Sequence, residues 1–236
     1  MSDTVVSAEH LCKTYGSGET KIAAIRDVSF TIRSGEFVSV MGPSGCGKST
    51  LLYLIGGLDT PTSGRVLTCG CELAAMDDTA QSRIRCSRIG FVFQFYNLVQ
   101  NLTVEENILL PMVMAGKSVA HGAPRLEELL KMTGLTEKRG QIPSRLSGGQ
   151  QQLVSIARAV ISEPQLILAD EPTGNLDSRS GAEILRNFQS INRELGISII
   201  MVTHSDEAAA CSGRVLRMQD GMLVDDGLGP EEDAHG

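Results

Sequence analysis

Positive charge is in deficit in this chain: 21 Lys and Arg stand against 28 Asp and Glu, a formal net charge of −7 with a pI near 5.2. That balance argues against broad binding along a phosphate backbone, so no nucleic-acid partner is expected. Long apolar runs are also missing. No stretch approaches the ~20 residues that cross a bilayer as a helix, and no transmembrane segment is predicted. The opening Met1-Ser2-Asp3-Thr4 lacks a basic stretch followed by an apolar one, so no secretory signal is read there and the cytosol is the expected compartment. Metal-ligand spacing is a third absence. Of Cys12, Cys46, Cys69, Cys71, Cys86 and Cys211, only Cys69-Gly70-Cys71 is a close pair, and no second pair or histidine follows at zinc-like spacing. A cytosolic setting disfavours disulfides, so reduced, non-ligand cysteines are expected. No internal repeat is present.

What is present suits a real core. Hydrophobic residues make up 42% and charged residues 21% of 236 residues, which fits one large domain or one domain with an inserted lobe. The most informative stretch is Gly42-Pro43-Ser44-Gly45-Cys46-Gly47-Lys48-Ser49-Thr50, which fits the phosphate-binding pattern G-x-x-x-x-G-K-[ST]. The apolar run Phe37–Met41 feeds into it as a buried strand, and Leu51, Leu52, Ile55 and Leu58 follow at helical spacing. The loop therefore sits between a strand and a helix N-terminus, where backbone N–H groups and the helix end favour an anion. Lys48 would reach the β- and γ-phosphates and Ser49 would hold Mg²⁺.

Upstream, residues 1–41 alternate as β-structure, with Val28–Ile32 at period two and Ser34-Gly35 as a turn. Tyr15, beside Gly16, reads on its own as a surface turn residue. Downstream, Asp59–Gly64 is turn-rich, Val66–Cys71 reads as a strand, and 77–87 as a short helix. Ile89–Phe93 reads as a buried strand, and the Gln94 that follows it would by itself be an edge residue. From about 95 to 160 the pattern is helical, with helices over Val104–Leu110 and Pro124–Met132. Leu146-Ser147-Gly148-Gly149-Gln150 then precedes an apolar-periodic run through Ile161. Ser147 is a natural N-cap, and glycines at a helix start form a second potential anion site.

Leu166–Ala169 is another buried strand, ending in Asp170 and Glu171. An acid at that strand edge fits the Mg²⁺-holding aspartate of phosphate-loop enzymes, and the next carboxylate fits a group that orients or deprotonates water. Leu185, Phe188, Ile191 and Leu195 mark a helix stopped by Gly196. Ile197–Val202 is a third apolar strand ending at Thr203-His204, where a lone histidine is more often structural than catalytic. Asp220-Gly221 marks a hairpin, and 226–236 reads as an acidic, frayed tail.

Together these motifs identify the chain as resembling the nucleotide-binding subunit of an ATP-binding cassette transporter over essentially its whole length. The ordered set is 42–50, Gln94, Leu146–Gln150, Asp170-Glu171, Gly174-Asn175-Leu176-Asp177 and His204. Ile55–Asp59, Gly90–Gln94 and Asn107–Pro111 are similar to the branch containing macrolide exporters, lipoprotein-release ATPases and antimicrobial-peptide export modules. The resemblance implies an α/β fold: a phosphate-loop core with a mainly parallel sheet, an antiparallel β subdomain and an inserted helical subdomain. The whole chain would be one such domain, with core and β subdomain over about 1–94 and 162–225 and the helical subdomain over about 95–161. It also implies roles. Tyr15 would stack on adenine. Gly42, Pro43, Ser44, Gly45, Cys46, Gly47, Lys48, Ser49 and Thr50 belong to the nucleotide site, with the phosphates cradled by Ser44 through Thr50. Ser49, Gln94 and Asp170 would surround Mg²⁺, Glu171 would be the general base, and His204 would contact the γ-phosphate. Two copies would pair head to tail around ATP, so that Ser147, Gly148, Gly149 and Gln150 of one close over nucleotide on the other, with Asp177 at the interface.

The implied function is an ATPase subunit powering a separate integral-membrane subunit from the cytoplasmic face of the membrane, with export or extraction favoured by the branch. A cell-division cassette that regulates cell-wall enzymes through a membrane partner without transport would be close in sequence, and the identity of the membrane partner separates the two. Ribosome- or DNA-directed cassettes carry two cassettes or a long coiled-coil insertion, neither of which is found in 236 residues. Two positions depart from the family pattern: Leu153 stands where a basic residue is usual, and Val99-Gln100 where many relatives have a proline.

Overall fold

The structure, a computed structural model, describes residues 4–227; the rest of the predicted tail, 228–236, lies outside them. In chain order the strands are β1 (Thr4–Tyr15), β2 (Ile22–Arg33), β3 (Phe37–Met41), β4 (Ser63–Thr68), β5 (Ile89–Phe93), β6 (Leu166–Asp170), β7 (Ser198–Val202), β8 (Arg214–Gln219) and β9 (Met222–Asp225). The helices are α1 (Lys48–Ile55), α2 (Asp78–Arg88), α3 (Val104–Met114), α4 (Val119–Met132), α5 (Gly148–Val160), α6 (Ser178–Leu195) and α7 (Asp206–Ala209).

The central sheet has the order β5-β6-β7-β3-β8-β9, parallel through β8 and closed by the antiparallel β8–β9 hairpin. Its turn places Asp220 and Gly221 both at positive φ, as a two-residue hairpin requires. A second sheet, β2-β1-β4, is antiparallel.

Because side chains alternate along a strand, the central sheet divides the core into two layers. On β6, Leu166 and Leu168 join one hydrophobic cluster while Ile167 and Ala169 join the other; β7 repeats this with Ile200 and Val202 against Ile199 and Met201. The first layer is completed by α1 and the antiparallel sheet through Leu51, Ile55, Leu11 and Ile32. The second is filled by α3, α5 and α6 through Ile108, Ile156 and Phe188. Leu153 is buried in that second layer, so the position where relatives carry a basic residue is a packing position here.

Several predicted boundaries move. Helix α1 stops at Ile55, and Leu58, expected on its apolar face, is exposed beyond it. The helix ends where Gly56 approaches the sheet so closely that a Cβ would lie 2.6 Å from the Phe91 ring. The strand expected at Val66–Cys71 runs instead over Ser63–Thr68, because Cys69 turns the chain at φ 51°. Helices α3 and α4 continue through Pro111 and Pro124. Burial of Leu109 and Met112 on one and Leu126, Leu129 and Leu130 on the other outweighs the backbone hydrogen bond each proline removes.

The loop between Gln94 and α3 is pinned by Asn107, which is fully buried. Its Nδ2 donates to the carbonyls of Val99 (3.0 Å), Leu102 (3.1 Å) and Thr103 (3.0 Å), and its Oδ1 accepts from the Val99 N–H (2.8 Å). Thr103 and Glu106 add a capping box at the α3 N-terminus. The segment where relatives have a proline is thus held by side-chain hydrogen bonds. Asn107→Ala strands several buried backbone groups and is expected to cost about 2–3 kcal/mol. Thermal unfolding should then fall by about 4–12 °C; an unchanged midpoint would show that the loop does not depend on Asn107.

Candidate active site

Strand register assembles the site. Phe93 pairs with Asp170, Asp170 with Val202, and Val202 with Val40. The residues just past these positions, Gln94, Glu171, Thr203 and the loop after Met41, therefore emerge at one carboxyl edge of the sheet, where open α/β folds place ligands. A cleft of about 410 Å³ opens there, lined by Ser44, Lys48, Ser49 and Thr50 of the loop together with Gln94, Glu171 and His204.

The loop's glycines are required by close approach. At Gly42 (φ 155°) a Cβ would lie 2.2 Å from the Met218 carbonyl, and at Gly47 (φ 103°) 2.3 Å from that of Ala24. Lys48 is 7% exposed, and its Nζ donates to the carbonyls of Gly42 (2.7 Å) and Pro43 (3.0 Å). Among the described residues it makes no ion pair with a carboxylate, so its charge is available to an anion. No side chain caps the N-terminus of α1, whereas α2, α3, α5 and α6 are all capped by side chains. Free helix-end donors beside an ammonium fit a phosphate group.

Asp170 closes β6 and is 8% exposed. Its Oδ1 accepts from Ser49 Oγ (2.9 Å) and its Oδ2 from the Tyr53 hydroxyl (3.0 Å). A hydroxyl and a carboxylate beside a phosphate cradle are the hard oxygen donors that Mg²⁺ takes. Glu171 follows in the left-handed region at φ 46°, a strained conformation of the kind concentrated at functional sites. Its Oε2 lies 2.9 Å from Nδ1 of His204. The imidazole is 70% exposed and faces the same cleft. Gln94 lines the cleft too, but its Nε2 donates to Asn175 Oδ1 (3.2 Å), and Asn175 Nδ2 donates to the Gln94 carbonyl (3.0 Å).

Other predicted residues do not line this cleft, although Asp177 shares a neighbouring cavity of about 200 Å³ with Glu171 and His204. Tyr15, 41% exposed, donates to Asp59 Oδ2 (2.6 Å), with Lys13 Nζ 4.9 Å from its ring centre. Ser147 and Gln150 form a reciprocal capping box at the start of α5. Gly148 lies beside the Tyr96 hydroxyl and Gly149 beside Ser180. Asp177 caps α6, accepting from Ser180 N (3.0 Å) and Oγ (2.8 Å), and these bonds hold its carboxyl below the usual range.

Three contributors escaped the sequence reading. Asn175 lay inside a quoted motif but received no role. Tyr53 stands one helical turn after Ser49, a spacing that could have suggested a shared target. Arg158 of α5 donates to the carbonyls of Asn97 (2.6 Å) and Tyr96 (2.8 Å), both residues at positive φ. Burial pushes its guanidinium down to about 10. It ties the helix that begins at Ser147 to the loop that begins at Gln94.

The ABC transporter family model matches residues 25–174. The chain is 44% identical over 226 residues to the macrolide export ATP-binding/permease protein MacB of Bradyrhizobium diazoefficiens, covering 96% of this chain but only 34% of that protein. It is 42% identical over 221 residues to an uncharacterized ABC transporter ATP-binding protein of Methanocaldococcus jannaschii, covering 94% of this chain and 98% of the relative. Among solved structures, a dimeric ATP-binding cassette in a post-hydrolysis state with ADP and Pi is similar at a TM-score of 0.85 and 41% identity, over 95% of this chain and 99% of that one. A family match across residues 25–174 and a near-full-length relative at 42% identity leave one assignment: the chain belongs to the ABC transporter family and is an ABC ATPase.

Proposed function

We propose that this chain hydrolyses ATP to drive a separate integral-membrane subunit that exports or extracts its substrate, and that it works on the cytoplasmic face of the membrane. The observation that carries the chemistry is the gathering of Lys48, Ser49, Asp170, Glu171 and His204 at one sheet edge. In this reading Lys48 and the backbone of 44–50 bind the phosphates. Ser49, Asp170 and Gln94 would hold Mg²⁺, the last through its amide oxygen, since its bond to Asn175 uses only the amide nitrogen. Bound Mg²⁺ would supply charge neutralisation at the phosphates. Glu171 takes a proton from the attacking water, His204 orients that carboxylate and meets the γ-phosphate, and Tyr15 stacks on the base.

Ser147, Gly148, Gly149 and Gln150 lie away from their own chain's cleft, which supports a head-to-tail pair in which they complete the cleft of the other copy, with Asp177 at the interface. The related cassette solved as a dimer supports pairing. The division into a core with a β subdomain and a helical lobe over about 95–161 belongs to the same reading.

The macrolide-export relatives support a membrane partner, since their name includes a permease and this chain spans only about a third of such a protein. A groove of about 370 Å³ lies beside the loop after Gln94, lined by Leu58, Phe91, Phe93, Leu110, Pro111 and Met114, and we assign it to a helix of that partner. Of Phe95, Tyr96 and Leu98 in that loop, only Phe95 is open, at 74% exposure; Leu98 is buried and Tyr96 packs partly against the core. Arg158, which lines the groove, gives such a helix a route to the segment 146–150.

Two outcomes follow. In Glu171→Gln the amide can still hold water but cannot accept its proton, so hydrolysis is expected to fall by about 10²–10⁴ while ATP affinity survives. Size-exclusion chromatography with Mg²⁺-ATP should then show an accumulated dimer. Wild-type turnover would remove Glu171 as the base, and inactivity with lost ATP binding would make it structural. A photo-cross-linker placed at Phe95 or Met114 is expected to capture the membrane subunit; capture only from the opposite hairpin at Asp220-Gly221 would reject the groove.

A further inference from the structure

The phosphate-loop serine is not the only group on α1 that reaches Asp170. Ser49 and Tyr53 are four residues apart, so they share one face of the helix. Each donates to a different oxygen of the same carboxylate: Ser49 Oγ to Oδ1 at 2.9 Å, and the Tyr53 hydroxyl to Oδ2 at 3.0 Å. Among the described residues no other side chain donates to Oδ2. The tyrosine is itself held in place. Its carbonyl accepts from the N–H groups of Leu58 (2.9 Å) and Asp59 (3.3 Å), and its ring packs partly against the core layer beneath the sheet.

We infer that Tyr53 is a positioning residue for the metal-binding carboxylate: its hydroxyl occupies Oδ2 of Asp170 and keeps Oδ1 turned toward Ser49 and the phosphate cradle. The inference rests on the reading that Ser49 and Asp170 hold Mg²⁺. A carboxylate at a strand end turns about its last bond, and a divalent ion needs one oxygen presented at a fixed angle. Groups around metal ligands commonly supply that orientation. A phenol suits the task. It is a neutral donor that leaves the carboxylate its charge. The same bonds tie Tyr53 to Tyr15, since Asp59, whose N–H bonds to the Tyr53 carbonyl, accepts the Tyr15 hydroxyl through its side chain.

The test uses the full chain with Mn²⁺ as a spectroscopic stand-in for Mg²⁺. Free Mn²⁺ is counted by electron paramagnetic resonance in the presence of ATP, and ATP affinity is measured separately in EDTA. Tyr53→Phe keeps the ring and removes only the donor. It is expected to weaken Mn²⁺ binding in the ternary complex about three- to tenfold, the worth of one net hydrogen bond, with metal-free ATP affinity unchanged. Unchanged Mn²⁺ affinity would overturn the inference, and so would an equal loss of ATP affinity in EDTA, which would mark Tyr53 as packing alone. Asp170→Asn in parallel separates the two levels: it is expected to lose more Mn²⁺ affinity than Tyr53→Phe. If it loses none, the metal-site reading itself fails.

Discussion

The structure depends on the parallel register of β5, β6, β7 and β3. Phe93, Asp170, Val202 and Val40 stand side by side, so one row of backbone hydrogen bonds delivers Gln94, Glu171, Thr203 and the phosphate loop to the same edge. A slip of one residue would turn Asp170 toward the opposite face and put Ala169 or Glu171 in its place. The buried alternation on both faces of the sheet resists that slip, because every hydrophobic residue of β6 and β7 belongs to one of two filled core layers. Packing in the core thus sets the position of the chemistry at the edge.

Around that edge the polar groups fall into two sets. Lys48, Ser49, Glu171 and His204 line one cleft, and Asp170 bonds to Ser49 beside it. Ser147, Gly149 and Gln150 cap or flank the start of α5 away from it, beside Asp177, which caps α6 and shares a neighbouring cavity with Glu171 and His204. Such a separation suits a site completed by a second copy. Between the sets runs a continuous link: Gln94 bonds to Asn175, the loop after Gln94 is pinned by Asn107, and Arg158 holds that loop's left-handed turn to α5.

Much of this was legible in the sequence because strand ends and glycine loops announce themselves locally. Phe37–Met41 before Gly42 and Leu166–Ala169 before Asp170 are apolar runs stopped by polar residues, and the structure brings both ends together. The same local logic found the Asp220-Gly221 turn and the Ser147 cap. It failed where tertiary contacts decide. The prolines at 111 and 124 read as boundaries, yet packing carries both helices through them. Leu98 and Phe95 look alike in sequence, but one is buried and the other open, since the turn at Tyr96 and Asn97 rotates the chain between them. Tyr53 and Asn107 looked like ordinary helical residues because their partners lie on other segments: Asp170 is far along the chain, and the carbonyls of 99–103 belong to an irregular loop.

The central claim is that the strand-edge cluster is a metal-dependent ATP-hydrolysing site. The most direct measurement is phosphate release by the purified chain at fixed ATP across a Mg²⁺ titration, ending in EDTA. The account predicts release that rises with Mg²⁺, saturates and vanishes in EDTA. Phosphate release that continues undiminished in EDTA would contradict it.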